Sequence, residues 1–276
     1  MNTVTPGICS ITLKGHSPKE MVALAARCGL ESLEWWGGEH VPPGDIRRAA
    51  EVGRMTRETG LAVAAYGSYY RTGCSEAEGL TFAAVLDSAA ALGAPTIRVW
   101  AGRKNRGDCP DDERRAVIDD SIRIADEAQA RGISITFEFH GGTLTDSAGN
   151  AHLLAEELSH PAIFFSWQPP HGFDLDESLA GLRALQPRLS TLHVYHWTIG
   201  AYERNLYNER ERRLVYPVDY HRHPLGDGVE RWQAYLREAR KSGGPHHALL
   251  EFVRGDSPEQ VEKDAAVLLD LCHHEP

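Results

Sequence analysis

The run Arg131-Gly132-Ile133-Ser134-Ile135-Thr136-Phe137-Glu138-Phe139 carries a helix end, a turn and a strand in immediate succession. Glycine adopts the left-handed backbone that closes a helix without steric cost, so Gly132 ends the alanine-rich amphipathic segment before it. Beyond it, Ile133, Ile135, Phe137 and Phe139 alternate with Ser134, Thr136 and Glu138. A period of two describes a strand with one apolar and one polar face.

The unit recurs. Cys28-Gly29-Leu30, Thr59-Gly60-Leu61 and Leu92-Gly93-Ala94 each set a glycine between an amphipathic segment and an apolar or β-branched run. Ser17-Pro18-Lys19-Glu20 and Ser257-Pro258-Glu259-Gln260 read as helix starts: a capping serine, proline at the first helical position and a side chain able to cap in return. Counting along the chain predicts strands near 7–12, 31–36, 61–66, 95–100, 133–139, 162–168, 190–196 and 247–253, alternating with helices. Such alternation implies a parallel sheet, and eight repeats in 276 residues fit a closed (β/α)8 TIM barrel, α/β in class, with residues 1–276 as one domain. No GxGxxG turn follows the first strand, which argues against dinucleotide binding. Residues 198–228, rich in Tyr, Arg and Glu, break the rhythm as a long insertion-like loop. It leaves the seventh strand at the end where barrel enzymes place their active sites, and it serves either that site or an oligomer contact, so a homo-oligomer stays open.

Composition narrows the function classes. The chain is 42% hydrophobic and 25% charged, in the range of globular proteins. Its net charge of -10, without a basic stripe, gives nothing to neutralise a phosphate backbone, so no nucleic-acid partner is expected. The five cysteines (Cys9, Cys28, Cys74, Cys109, Cys272) lack ligand spacing and read as reduced thiols. With no leader-like N-terminus and no apolar run near the roughly 18 residues of a membrane span, a cytoplasmic protein without a membrane partner is expected.

Strand parity assigns the inward faces. Ser134, Thr136 and Glu138 point into the barrel in the fifth strand, and Thr191, His193 and Tyr195 in the seventh. Ser166 and Gln168 share a face in the sixth, as do Leu249 and Glu251 in the eighth. The last polar residues of four successive strands, Glu138, Gln168, His193 and Glu251, therefore converge on the C-terminal mouth. Two carboxylates, an amide oxygen and an imidazole suit one divalent ion, Mn²⁺ foremost, with Mg²⁺, Co²⁺ or Zn²⁺ as alternatives. His196 has the opposite phase to His193 and points away. His140 shares the phase of Glu138 but lies past the strand, where it suits substrate contact. Glu34 and Arg98 turn inward, where such charges need compensation, either as an interior ion pair that organises the site or in direct contact with substrate. Trp36, Tyr66 and Trp100 end strands on the inward side, where their aromatic faces can line a polyol pocket.

At these residues the sequence resembles the xylose isomerase-like barrel family of sugar isomerases and epimerases, which includes inosose dehydratases and an endonuclease IV branch. The marks are FEFHGGTLTD (137–146), the Gln168-Pro169-Pro170-His171 stretch, LHVYHW (192–197), PLGDG (224–228) and LLEF (249–252). The resemblance implies a metal held by Glu138, Gln168, His193 and Glu251, with Glu138 and Glu251 as catalytic acid and base. It also implies that His171 and Arg222 bind a sugar or polyol-derived substrate, to which strand phase adds His140 and Tyr66. Gln168 departs from the family's carboxylate and weakens the pull on a dication. The expected activity is isomerisation or epimerisation of a sugar by proton transfer through a metal-stabilised enediolate. A dehydratase or lyase acting on a keto-sugar or inosose is the alternative, and a non-catalytic sugar-binding barrel with a decayed metal site is the reading from another class. Endonuclease chemistry would need more histidines and carboxylates than Tyr66 and Arg98 supply on their strands.

Overall fold

The structure is a computed structural model describing residues 4–170, 174–198, 207–208, 213–214 and 221–274. Eight parallel strands close a barrel: β1 (Val4–Cys9), β2 (Ser32–Trp36), β3 (Ala62–Arg71), β4 (Thr96–Trp100), β5 (Ser134–Glu138), β6 (Ile163–Trp167), β7 (Leu189–Val194) and β8 (His246–Leu250). Neighbours pair in chain order, and β8 returns to β1 through the register Val4 to His246. The outer layer is α1 (Pro18–Arg27), α2 (Ile46–Glu58), α3 (Phe82–Leu92), α4 (Asp111–Gln129), α5 (Ala148–Glu157), α6 (Leu175–Leu185), α7 (Val229–Arg240) and α8 (Pro258–His273).

The glycine punctuation is physical. Gly29, Gly60, Gly93 and Gly132 have φ of 73°, 84°, 78° and 71°, the left-handed conformation that lets each helix turn straight into the next strand. Ser17 forms the full reciprocal cap with Glu20 at α1. At α8 the cap is one-sided: Ser257 accepts from the Gln260 N–H, while the Gln260 amide is drawn to Asp264 at 2.8 Å. The buried side of α4 is Val117, Ser121, Ile124, Ala125 and Ala128, and it packs on the sheet with Ile135 and Phe137 in the main apolar layer.

Three strands differ from the sequence expectation. β1 lies three residues earlier than 7–12, because Ser10–Leu13 coils into a 3-10 turn in which the Ser10 hydroxyl accepts from the Trp36 N–H at 2.8 Å. β8 stops at Leu250, leaving Glu251 just past its end. β3 is longer than 61–66 and carries a bulge: Leu33 pairs with Val63 but Glu34 pairs with Ala65. One extra residue reverses the strand's faces. Ala64 therefore packs inside the barrel with Cys9 and Leu249, while Tyr66 faces the helices.

Of the long loop after β7, the described parts are two short antiparallel ribbons and a turn. His196–Thr198 pairs with His221–His223, and Tyr207–Asn208 with Arg213–Leu214. Leu225–Gly228 then turns into α7. Among the described residues no helix is long and apolar enough to cross a membrane.

Candidate metal centre

Glu138, at the last residue of β5, His193 on β7 and Glu251 just beyond β8 bring one ligand atom each to within 4.8 Å of one another, all buried. His193 Nδ1 lies 3.3 Å from Glu251 Oε2 and 3.7 Å from Glu138 Oε1. Its other nitrogen, Nε2, faces Glu34 Oε2 at 3.4 Å. A proton on Nε2 shared with Glu34 leaves the Nδ1 lone pair aimed between the two carboxylates, as an imidazole ligand requires.

Gln168 follows β6. Its Nε2 donates to the Phe139 carbonyl at 2.6 Å, which fixes the amide and turns Oε1 the other way. Among the described residues, the buried Oε1 has no hydrogen-bond partner. A buried amide oxygen left bare costs about 1–3 kcal/mol, a deficit that a cation would remove. The donor set of two carboxylates, one imidazole and one amide oxygen suits a hard or borderline dication.

A second group, Cys9, Glu34 and His193, also comes within ligand spacing. It is a poorer site. Burial, followed by the nearby Glu34 charge, pushes the Cys9 thiol up to about 12, so a metal taken there would have to expel a firmly held proton. Glu34 is already engaged: Arg98 Nε donates to its Oε1 at 2.8 Å. Sequence reading took Cys9 only as a reduced thiol, and nothing in its surroundings along the chain signals that β1 carries it against His193.

Arg98 on β4 ties the two sides of the barrel together. Its guanidinium donates to Glu34 through Nε and to Glu138 through Nη1, with all three side chains 6% exposed or less. Burial, the largest single effect, would raise both carboxyls, but Arg98 and His193 together outweigh it, helped at Glu138 by His140 and the Trp100 N–H; Glu34 falls to about 2 and Glu138 is also lowered. Burial disfavours a charged His193, yet the Glu251 and Glu34 carboxylates around it hold the imidazole well above its ordinary range. The pair has room because β3 offers no side chain there: a Cβ on Gly67 would sit 2.6 Å from Glu34 Oε1 and 2.7 Å from Arg98 Nη2.

An aromatic wall stands on the β2–β5 side of the mouth. Trp36 donates from Nε1 to the Tyr69 hydroxyl at 2.7 Å, and Tyr69 meets Trp100 edge-on at 5.3 Å. Trp100 donates to Glu138 through Nε1, and the His140 ring tilts over it at 5.3 Å. His140 thus lies beside the centre but outside the ligand group, with Nδ1 on the Gly141 carbonyl at 2.6 Å. Tyr66 is corrected: the β3 bulge carries it out of the mouth, and its hydroxyl donates to the Val41 carbonyl at 2.8 Å in the barrel–helix layer. Arg222, on the ribbon after β7, pairs with Asp256 at 2.6 Å and lies over Trp197 and Phe252. His196 turns toward His223 and away from the centre. His171 lies outside the described residues.

A search of curated protein sequences finds no match. Solved structures share the fold at low identity. The probable 3-DHS dehydratase AsbF from Bacillus anthracis superposes with a TM-score of 0.75 at 18% identity, over 96% of this chain and 98% of that one. The IOLI protein with a bound zinc atom gives 0.69 at 13% identity, over 98% of both chains. A D-psicose 3-epimerase solved with D-fructose gives 0.64 at 13%, over 98% of this chain and 99% of the other. The family model for the xylose isomerase-like TIM barrel matches residues 22–271, and with the closed barrel described above this chain belongs to that family.

Proposed function

We propose that the protein is a divalent-metal-dependent isomerase or epimerase of a sugar or polyol-derived substrate, with Glu138, Gln168, His193 and Glu251 as the metal ligands. The observation that carries this reading is the buried Gln168 Oε1, unpartnered among the described residues and set just past the strand that lies between those of Glu138 and His193. Mn²⁺ is the ion we favour, because carboxylate and amide oxygens outnumber the single nitrogen. A bound ion would supply Lewis acidity to a carbonyl and a neighbouring hydroxyl of the substrate.

The protein side chains handle the proton. Arg98 and Trp100 both donate to Glu138, which keeps that carboxylate ionised and fixed at the mouth, as a base acting on a carbon-bound proton must be. Glu251 stands beyond His193 from Glu34, without a guanidinium partner among the described residues, and serves as the second proton carrier. Removal of the proton by one carboxylate and its return by the other inverts the carbon; return to the adjacent carbon interconverts aldose and ketose. The aromatic wall and His140 pack against the substrate, and His171 and Arg222 complete its contacts from the loops.

Elimination of a β-hydroxyl from the same deprotonated substrate is the second reading, favoured by the likeness to a probable dehydratase at a TM-score of 0.75. Incubation of the metal-loaded protein with candidate ketoses and keto-polyols in D₂O separates the two. Deuterium at carbon in an intact sugar supports isomerase or epimerase, and loss of water supports lyase. Neither outcome with any of the four metals refutes the acid–base proposal.

A further inference from the structure

We infer that Arg71 is an anion-binding residue beside the metal centre and that the substrate carries a carboxylate or phosphate group. The inference rests on the proposed metal centre for its location but not on the reaction assigned to it.

Arg71 closes β3, the strand that outruns its sequence expectation. Its guanidinium carbon lies 4.0 Å from the centre of the Trp100 ring, and Nη1 donates to the Gly102 carbonyl at 3.0 Å. Trp100 in turn touches Glu138 through its indole nitrogen, so Arg71 is one ring removed from a proposed ligand, and the Glu138 charge acts on it. The other cations on this side are taken: Arg103 by Glu78, Lys104 by Glu113, Arg106 by Glu157. Arg222 across the mouth is taken by Asp256. Among the described residues Arg71 has no carboxylate partner and one hydrogen-bond acceptor, although it is half-buried. A guanidinium held against an indole, with its remaining donors unused among the described residues, matches a planar carboxylate or a phosphate bidentately.

The charge balance of the interior points the same way. With a dication bound, the charges of Glu34, Glu138 and Glu251 are matched by the ion and Arg98, because Gln168 contributes an amide where a carboxylate would add another negative charge. Arg71 is then a surplus positive charge at the mouth. A neutral polyol would leave it unmatched; an acid would neutralise it.

The test uses the full chain saturated with Mn²⁺ and calorimetric binding of three related probes: D-glucitol, D-gluconate and D-glucitol 6-phosphate. The readout is the ratio of affinities between wild type and Arg71→Met, which cancels any direct chelation of the ion by a probe. We expect the substitution to weaken gluconate, glucitol 6-phosphate or both by about tenfold to a hundredfold, as for loss of a charged hydrogen-bonded contact. Glucitol affinity should stay unchanged, and Arg71→Lys should recover part of the loss. The larger effect identifies the anion as carboxylate or phosphate. Equal weakening of all three probes, no weakening of either acid, or no binding of either acid to the wild type overturns the inference. A charge-selective loss without deuterium exchange in any substrate would keep this subsite and reject the isomerase reading. Exchange into neutral sugars with no acid preference would do the reverse.

Discussion

Replacing Arg98 by methionine keeps the aliphatic stem and removes the guanidinium that joins Glu34 to Glu138. In the metal-free protein both carboxylates then lie buried with their main counter-charge gone, since the three side chains are only 5%, 2% and 6% exposed. Removing one partner of a buried pair costs about 3–5 kcal/mol. His193 faces Glu34 at 3.4 Å and carries part of the compensation, so the lower end of that range applies. At about 2–4 °C per kcal/mol for a chain of this size, the melting temperature in excess EDTA should fall by roughly 6–12 °C. The pH dependence has a definite sign. Arg98 helps hold the Glu34 carboxyl at about 2 against an ordinary 4.5, so its contribution is complete above 4.5 and is lost as pH falls toward 2. The gap between wild type and variant should therefore narrow on acidification. Saturating Mn²⁺ should also narrow it, by neutralising Glu138 but not Glu34. Adding Glu34→Gln to Arg98→Met should restore part of the stability, a coupling read from a double-mutant cycle of urea unfolding. A loss under about 1 kcal/mol in EDTA, or a double variant less stable than the sum of the singles, would refute the assignment of Arg98 as the charge that makes this interior tolerable.

Gln168→Glu should tighten Mn²⁺ binding by at least tenfold, because a unit charge near 4 Å contributes roughly 4 kcal/mol for each unit of ion charge at an effective dielectric of 20, more than the about 1.4 kcal/mol that tenfold requires even after the cost of burying a new carboxylate; a competition titration giving unchanged or weaker affinity would remove Gln168 from the ligand set. Metal binding must also displace the proton that Glu251 and Glu34 hold on His193 against the opposing effect of burial. Affinity for Mn²⁺ should thus rise with pH, approaching tenfold per unit while His193 is protonated, and a flat profile between about pH 6 and pH 8 would exclude His193 as a ligand.

How much of this was legible along the chain depends on what each feature requires. The glycine punctuation and the alternation in Ile133 to Phe139 are local consequences of backbone sterics and side-chain period, and both appear in the barrel as read. Parity carried Glu138, His193 and Glu251 to one mouth because β5, β7 and β8 keep their period through those residues. It failed at Tyr66 for the converse reason: the bulge in β3 adds one residue, and no local feature of Leu61-Ala62-Val63-Ala64-Ala65 announces it. The early stop of β1 likewise depends on the Ser10 hydroxyl meeting a backbone N–H on the next strand.

By itself the sequence determined the repeat, the closed α/β architecture and the inward carboxylates and imidazole, since these follow from periodicities that neighbouring residues impose on one another. Only the tertiary structure decided which charge compensates which, that Cys9 lies against His193, and that among the described residues the Gln168 oxygen is left bare and Arg71 lies on Trp100 without a carboxylate partner. Electrostatic pairing and desolvation depend on distance through space, and closing the barrel brings together Glu34, Arg98 and His193, which nothing in their spacing along the chain connects.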